Sequence, residues 1–330
     1  MARIVAALLI LLVSHPVGAV DPEEPIYPRD PCPLKEGVVG GGQGVRLLHR
    51  FTGEVLWEAL PGKRTYEPVC AGDRILIGSH SGIHSVGAEK GLHRWTKAAG
   101  STVFSPVVVG NHAYAAGLDG VLRKLRLPGG SLIWRKELEG WLFPPALARD
   151  RLIVGGSART IKALTPRTGE VLWSRKLGQE LVYRPAAGPK GRIVVVTTYS
   201  PAILALDAEN GALLWRRESS GVAYTPRIDA RRVFVGHRNG LLEALSLDSG
   251  KSLWEVRLRG RIRSIPGSDP HRPNLLWVGI EQRLRSGRVV AVSRSFGEVR
   301  WRTSMDHRVI DTPLPGPKQL YVRTGESGLS

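Results

Sequence analysis

Apolar residues along the chain come in short runs rather than long stretches. RILIG at Arg74–Gly78, HAYAAG at His112–Gly117, RLIVGG at Arg151–Gly156, RIVVVTT at Arg192–Thr198 and RVFVG at Arg232–Gly236 are each bounded by Gly, Asp, Asn or Ser. Runs of this length, rich in Val, Ile and Leu and closed by turn residues, predict β-strands. Glycine and proline number 39 and 23 among 330 residues, which excludes long helices.

The strands belong to a repeat. The hexapeptide TGEVLW occurs at Thr52–Trp57 and again at Thr168–Trp173, and looser copies end at Trp95, Trp134, Trp215, Trp254 and Trp301. These seven tryptophans are separated by 38, 39, 39, 42, 39 and 47 residues. A second marker keeps the same period: an aromatic two places before proline at Tyr66/Pro68, Phe104/Pro106, Phe143/Pro145, Tyr183/Pro185 and Tyr224/Pro226, continued by Pro266 and Pro313.

A unit of about 39 residues accommodates four strands of five or six residues with their turns, one antiparallel blade of a β-propeller. Between Pro145 and Trp173 the inner strand a begins near Pro145, strand b is RLIVGG, strand c is TIKALTP and strand d is EVLW. The glycine supplies the c–d turn. The Trp is expected to end the outer strand, covering the neighbouring blade and giving its indole N–H to a backbone carbonyl. The expected fold is therefore all-β, a seven-bladed propeller with eight blades as the alternative, closed by joining N- and C-terminal strands. The 47-residue interval places extra loop around Gly267–Asn274.

The first residues change the picture of location. An apolar run from Ile4 to Val13, with Val17 and Ala19 beyond it, reads as a signal peptide over 1–19, too short to span a bilayer of roughly 30 Å. An irregular Pro-rich arm over 20–36 and a single propeller domain over 37–330 follow. The mature chain is expected to be a soluble, periplasmic or secreted monomer without a transmembrane anchor. Only Cys32 and Cys70 are present, a possible disulfide in an oxidising compartment or two separate thiols.

Charge adds a candidate surface. The net charge is +18, and 36 of the 47 basic residues are Arg. Arg257, Arg259, Arg261 and Arg263 recur at every second position, and Glu255–Arg308 holds 12 Arg against 5 acids. Such a face suits an anionic partner: an acidic protein segment, an envelope glycan or a lipid headgroup. The competing reading is a solvated surface. Export argues against nucleic acid as partner.

The aromatics Tyr66, Phe104, Phe143, Tyr183 and Tyr224 should stand near the channel mouth, where they either grip a partner or pack between blades. His80 and His84 lack the context of a metal site, and GVVGGGQG reads as strand and turn rather than a phosphate cradle. No catalytic, cofactor-binding or metal-ligating residue emerges.

ALTPRTGEVLW at Ala163–Trp173, ALDAENGALLW at Ala205–Trp215 and ALSLDSGKSLW at Ala244–Trp254 resemble the pyrroloquinoline-quinone-type repeat family, with motif A-x-D-x-x-T-G-x-x-x-W. The resemblance implies a propeller in enzymes and non-enzymes alike. The quinone-dependent alcohol dehydrogenases of that family imply Ca²⁺, an Asp base and adjacent cysteines, none of which can be matched to residues here. The BamB-type scaffolds of outer-membrane protein assembly agree in export and size, although they are lipoproteins, usually of eight blades, and no Cys stands at the end of this signal. The implied function is a non-catalytic envelope scaffold that binds a protein partner through its loop face or a blade edge, without a cofactor.

Overall fold

The computed structural model describes residues 32–34, 36–49, 51–283, 286–309, 312–315, 320–322 and 324–325. The expected signal peptide and most of the Pro-rich arm lie outside the described residues. The fold is a seven-bladed β-propeller of four-stranded antiparallel blades.

Blade 4 shows how the repeat folds. Ala146–Ala148, Arg151–Gly155, Thr160–Leu164 and Val171–Lys176 pair in sequence order, inner strand to outer. One row crosses the whole sheet: Ala146 faces Ile153, Ile153 faces Ala163, and Ala163 faces Trp173. The motif's leading Ala is thus the cross-strand neighbour of its Trp, and a small side chain there leaves the indole room. The same pairing joins Ala205 to Trp215, Ala244 to Trp254 and Ala291 to Trp301. Trp173 does not end the outer strand as expected, because the strand runs three residues further to Lys176. Those added residues pair with Thr160 to Lys162 and complete the ladder that a strand stopping at Trp would leave unpaired.

Blade 1 is less regular. Cys32–Pro33, Gly37–His49 and Val55–Arg64 form its sheet. A Cβ on Gly37 would lie 2.3 Å from the Leu48 carbonyl oxygen, which is impossible in a straight strand when consecutive residues advance about 3.3 Å each. The segment therefore doubles back through its glycines and supplies two of the four legs. The innermost leg, Cys32–Pro33, pairs with Val38 and Val39 inside the stretch expected to be an irregular arm. After blade 7 the hairpin of Arg308–Val309 and Leu314–Pro315 with Leu320–Tyr321 and Thr324–Gly325 packs beside that blade.

In blade 7 only part of the extra length is loop. Residues 269–274 separate its first two strands, but its second and third, Leu275–Arg283 and Ser286–Ser293, have 9 and 8 residues against 5 and 6 in blade 6. The core lies between blades. Ile153 and Ile161 of blade 4 pack with Val194, Val196 and Leu204 of blade 5, all buried, and similar clusters fill the other junctions.

Candidate functional site: an aromatic ladder at the inner strands and an arginine cleft between blades 6 and 7

Each of the first six blades lays its tryptophan on the next. Nε1 of Trp95, Trp134, Trp173, Trp215 and Trp254 donates to the carbonyl of Leu127, Pro166, Ala208, Leu247 and Arg294, at 2.8 to 3.2 Å. The indole face covers the turn glycine of the following blade, so Trp57 lies against Gly91 and Trp254 against Gly297. Trp301, last in the series, is 45% exposed and meets Trp277 edge-on at 5.5 Å.

Four of the five aromatics before the inner strands form one ladder. Tyr66 meets Phe104 with centroids 5.0 Å apart, Phe104 meets Phe143 at 6.0 Å, and Phe143 meets Tyr183 at 4.9 Å. The rings pass from blade 2 to blade 5 because each precedes a proline whose fixed φ starts an inner strand at the same height. Trp141 closes edge-on against Phe143 at 4.8 Å, and His80 stacks on Tyr66 at 6.0 Å. Burial raises the Tyr66 phenol above its ordinary pKa, partly opposed by its hydrogen bond with Thr102. Phe143 is buried, whereas Tyr66, Phe104, Tyr183 and Tyr224 keep part of their surface in solvent. Tyr224 makes no ring contact with the ladder among the described residues.

The two histidines occupy separate networks. His80 Nδ1 lies 3.0 Å from the Thr102 hydroxyl. His84 is buried between the Ser79 hydroxyl at 2.8 Å and the Thr96 hydroxyl at 2.9 Å, and burial pulls its pKa down to about 4.

Sequence reasoning missed a related strut between the outer strand of blade 5, Leu213–Glu218, and blade 6. His237 Nδ1 lies 2.9 Å from the Ser219 hydroxyl, its Nε2 lies 2.9 Å from Glu243, and Arg217 reaches the other Glu243 oxygen at 3.0 Å. The constellation resembles a nucleophilic triad in composition only. Ser219 donates its proton to the Gly221 carbonyl at 2.7 Å, so the hydroxyl ties a turn rather than facing a substrate. Burial pushes the Glu243 carboxyl up, but hydrogen bonding and charge from His237 and Arg217 more than offset it and leave the pKa below the ordinary value.

The arginine run divides at Gly260. Its φ of +126° ends the extended geometry that would have put all four side chains on one face. Arg257 and Arg259 remain exposed at the edge of blade 6, and Arg261 is exposed while its backbone pairs with Glu281. Arg263 forms an ion pair with Glu281 at 2.9 Å, and Arg308 reaches the same carboxylate at 3.1 Å. Arg257 and Arg259 instead line a cleft of about 630 Å³ with Arg288 and Arg302 of blade 7. Those two were visible in the sequence only as part of a basic segment, because their meeting depends on the register of two strands.

Fold and repeat together define a propeller of the tryptophan-docked, quinoprotein-like class. A family model described as "Outer membrane protein assembly factor BamB" matches residues 41–157, 118–220, 157–274 and 238–330, and the chain belongs to that family. The outer membrane protein assembly factor BamB of Yersinia pestis is 25% identical over 241 residues, 64% of this chain and 61% of that protein. Its counterpart in Burkholderia pseudomallei is 26% identical over 172 residues, 49% of this chain and 45% of that one. The matches thus span from just under half to about three fifths of these relatives. Among solved structures, BamB from Moraxella catarrhalis superposes with a TM-score of 0.67 at 18% identity, covering 91% of this chain and 96% of that one. The computationally designed Ika8 protein gives 0.75 at 15% identity, covering 87% and 90%. At these identities the structural likeness speaks for the fold.

Proposed function

We propose that the protein is a non-catalytic scaffold exported to the cell envelope, where it holds a protein partner during assembly of outer-membrane proteins. Membership of the BamB family across nearly the whole ring carries this reading. The ladder gives it a location. Aromatic rings fixed by their neighbours present amphipathic surface with little side-chain entropy left to lose, the property that makes Tyr and Trp effective interface anchors. Tyr66, Phe104, Tyr183 and Tyr224 form the contact, and Phe143 holds the rings at their spacing.

A photo-crosslinking amino acid placed at Tyr66 or Tyr224 in living cells tests this directly. Discrete adducts with one envelope protein are expected, and none from Leu132 on an outer strand. Equal labelling from all three positions removes the inner-strand face as the interface. The enzyme alternative has its own control: the purified chain, supplied with pyrroloquinoline quinone and Ca²⁺, is expected to give no dye-linked alcohol oxidation.

A further inference from the structure

Most arginines with a charged neighbour here are neutralised. Arg151 pairs with Asp150 and Glu209, Arg217 with Glu243, Arg232 with Asp229, and Arg263 and Arg308 share Glu281. The cleft between blades 6 and 7 gathers four arginines without such partners. Arg257 ends the outer strand of blade 6, Ser252–Arg257, and Arg259 lies in the turn after it, while Arg288 and Arg302 come from the third and fourth strands of blade 7, Ser286–Ser293 and Val299–Met305. No carboxylate lines it, and none of these four guanidinium groups has an ion pair or hydrogen bond among the described residues.

The register explains the convergence. Arg302 is the cross-strand partner of Val290 and Ser304 that of Arg288, so Arg288, Val290, Arg302 and Ser304 lie on one face of the blade. Val290 and Ile280 on that face pack with Leu258 of blade 6 and make an apolar floor. Four positive charges around an apolar floor repel one another, and a bound anion is the simplest means of relieving that repulsion.

We propose that this cleft is a binding site for a multiply charged phosphate ester, a group bearing one or more phosphates on a polar body. Four planar forks offer more N–H donors than one carboxylate can accept, whereas phosphate oxygens on two sides of a group engage them all. The cavity falls within the size range of small-ligand sites and exceeds what a lone phosphate fills. Ser304, on the same face as Arg288 and Arg302, adds a hydroxyl suited to the polar body. The site is separate from the aromatic ladder and stands whether or not the scaffold reading holds. A soluble sugar phosphate and a phospholipid headgroup share this chemistry.

The test is calorimetric titration of the full chain with inorganic pyrophosphate, beside co-sedimentation with phosphatidylcholine vesicles containing phosphatidylglycerol. Both use wild type, the cleft variant Arg259→Glu/Arg302→Glu, and the control Lys90→Glu/Arg126→Glu, which changes net charge equally. Saturable one-to-one pyrophosphate binding is expected, weakened at least tenfold in the cleft variant and less than twofold in the control. Vesicle binding with the same dependence identifies a headgroup as the source, and vesicles left unbound identify a soluble ester. Absence of saturable binding, equal losses in both variants, or tighter binding of a poly-glutamate peptide than of pyrophosphate overturns the proposal. Should the double variant melt early, Arg302→Gln alone must weaken binding at least threefold.

Discussion

The indole of Trp173 lies so close over Gly211 of the next blade that a Cβ on that glycine would sit 2.6 Å from the ring, while Nε1 donates to the Ala208 carbonyl at 3.0 Å. Gly211 also holds φ at +73°. Gly211→Ala is therefore penalised twice, by left-handed backbone strain of about 1–2 kcal/mol and by overpacking of about 1–3 kcal/mol. Chemical denaturation should show a loss of about 2–5 kcal/mol. Trp173→Phe keeps most of the apolar cover but leaves the carbonyl without its donor, and should cost about 1–3 kcal/mol.

Phe143 is the junction of the ladder, buried and in contact with Phe104, Trp141 and Tyr183. Phe143→Ala should destabilise by about 3–5 kcal/mol, as large-to-small changes at buried aromatics do. Tyr224→Ala, at a half-buried ring outside the ladder, should cost less than about 1 kcal/mol. The same Tyr224→Ala protein is expected to capture less of the envelope partner in pull-downs, which separates binding from folding.

How far these relationships were legible follows from their range. The Trp–Gly spacing exposed the blade because both residues fall inside one repeat and return with every copy. That the glycine also receives the preceding blade's indole was not legible, since a single repeat does not display its neighbour. Strand limits slipped at Trp173 because the residues after it, Ser174 to Lys176, are polar, and an outer strand with its face in solvent carries no apolar signal. The arginine run was visible, but Gly260 divided it, and Arg288 and Arg302 joined Arg257 and Arg259 only through tertiary register.

Burial of His84 makes stability depend on pH. Desolvation, with smaller contributions from Lys63 and His93, holds its folded pKa at about 4 against 6.5 when exposed. Between those values the unfolded chain binds more protons than the folded one, so the stability this site contributes is complete above about pH 6.5 and is lost as pH falls toward 4. Thermal melts should show Tm several degrees lower at pH 4.5 than at pH 7.5. His84→Gln, unable to titrate, should reduce that difference.

Cys70 is disulfide-bonded, and the chain contains one other cysteine, Cys32. Cys70 lies on the innermost strand of blade 2, Val69–Ala71, beside the innermost strand of blade 1, Cys32–Pro33. We propose that the two are bridged, which would fasten the first leg, joined to its neighbour by two residue pairs among the described residues, to a complete blade. Closing a loop of about 40 residues restricts the unfolded chain by roughly 4 kcal/mol in the chain-entropy model, with 2–4 kcal/mol the usual measured range. The denatured, unreduced protein should give no reaction with a thiol reagent, and reduction should release two thiols. Cys70→Ser should lower stability by about 2–4 kcal/mol and make the chain near Cys32 an early site of proteolysis. A reactive thiol in the denatured, unreduced wild type would instead show that the first leg is held by its backbone pairs alone.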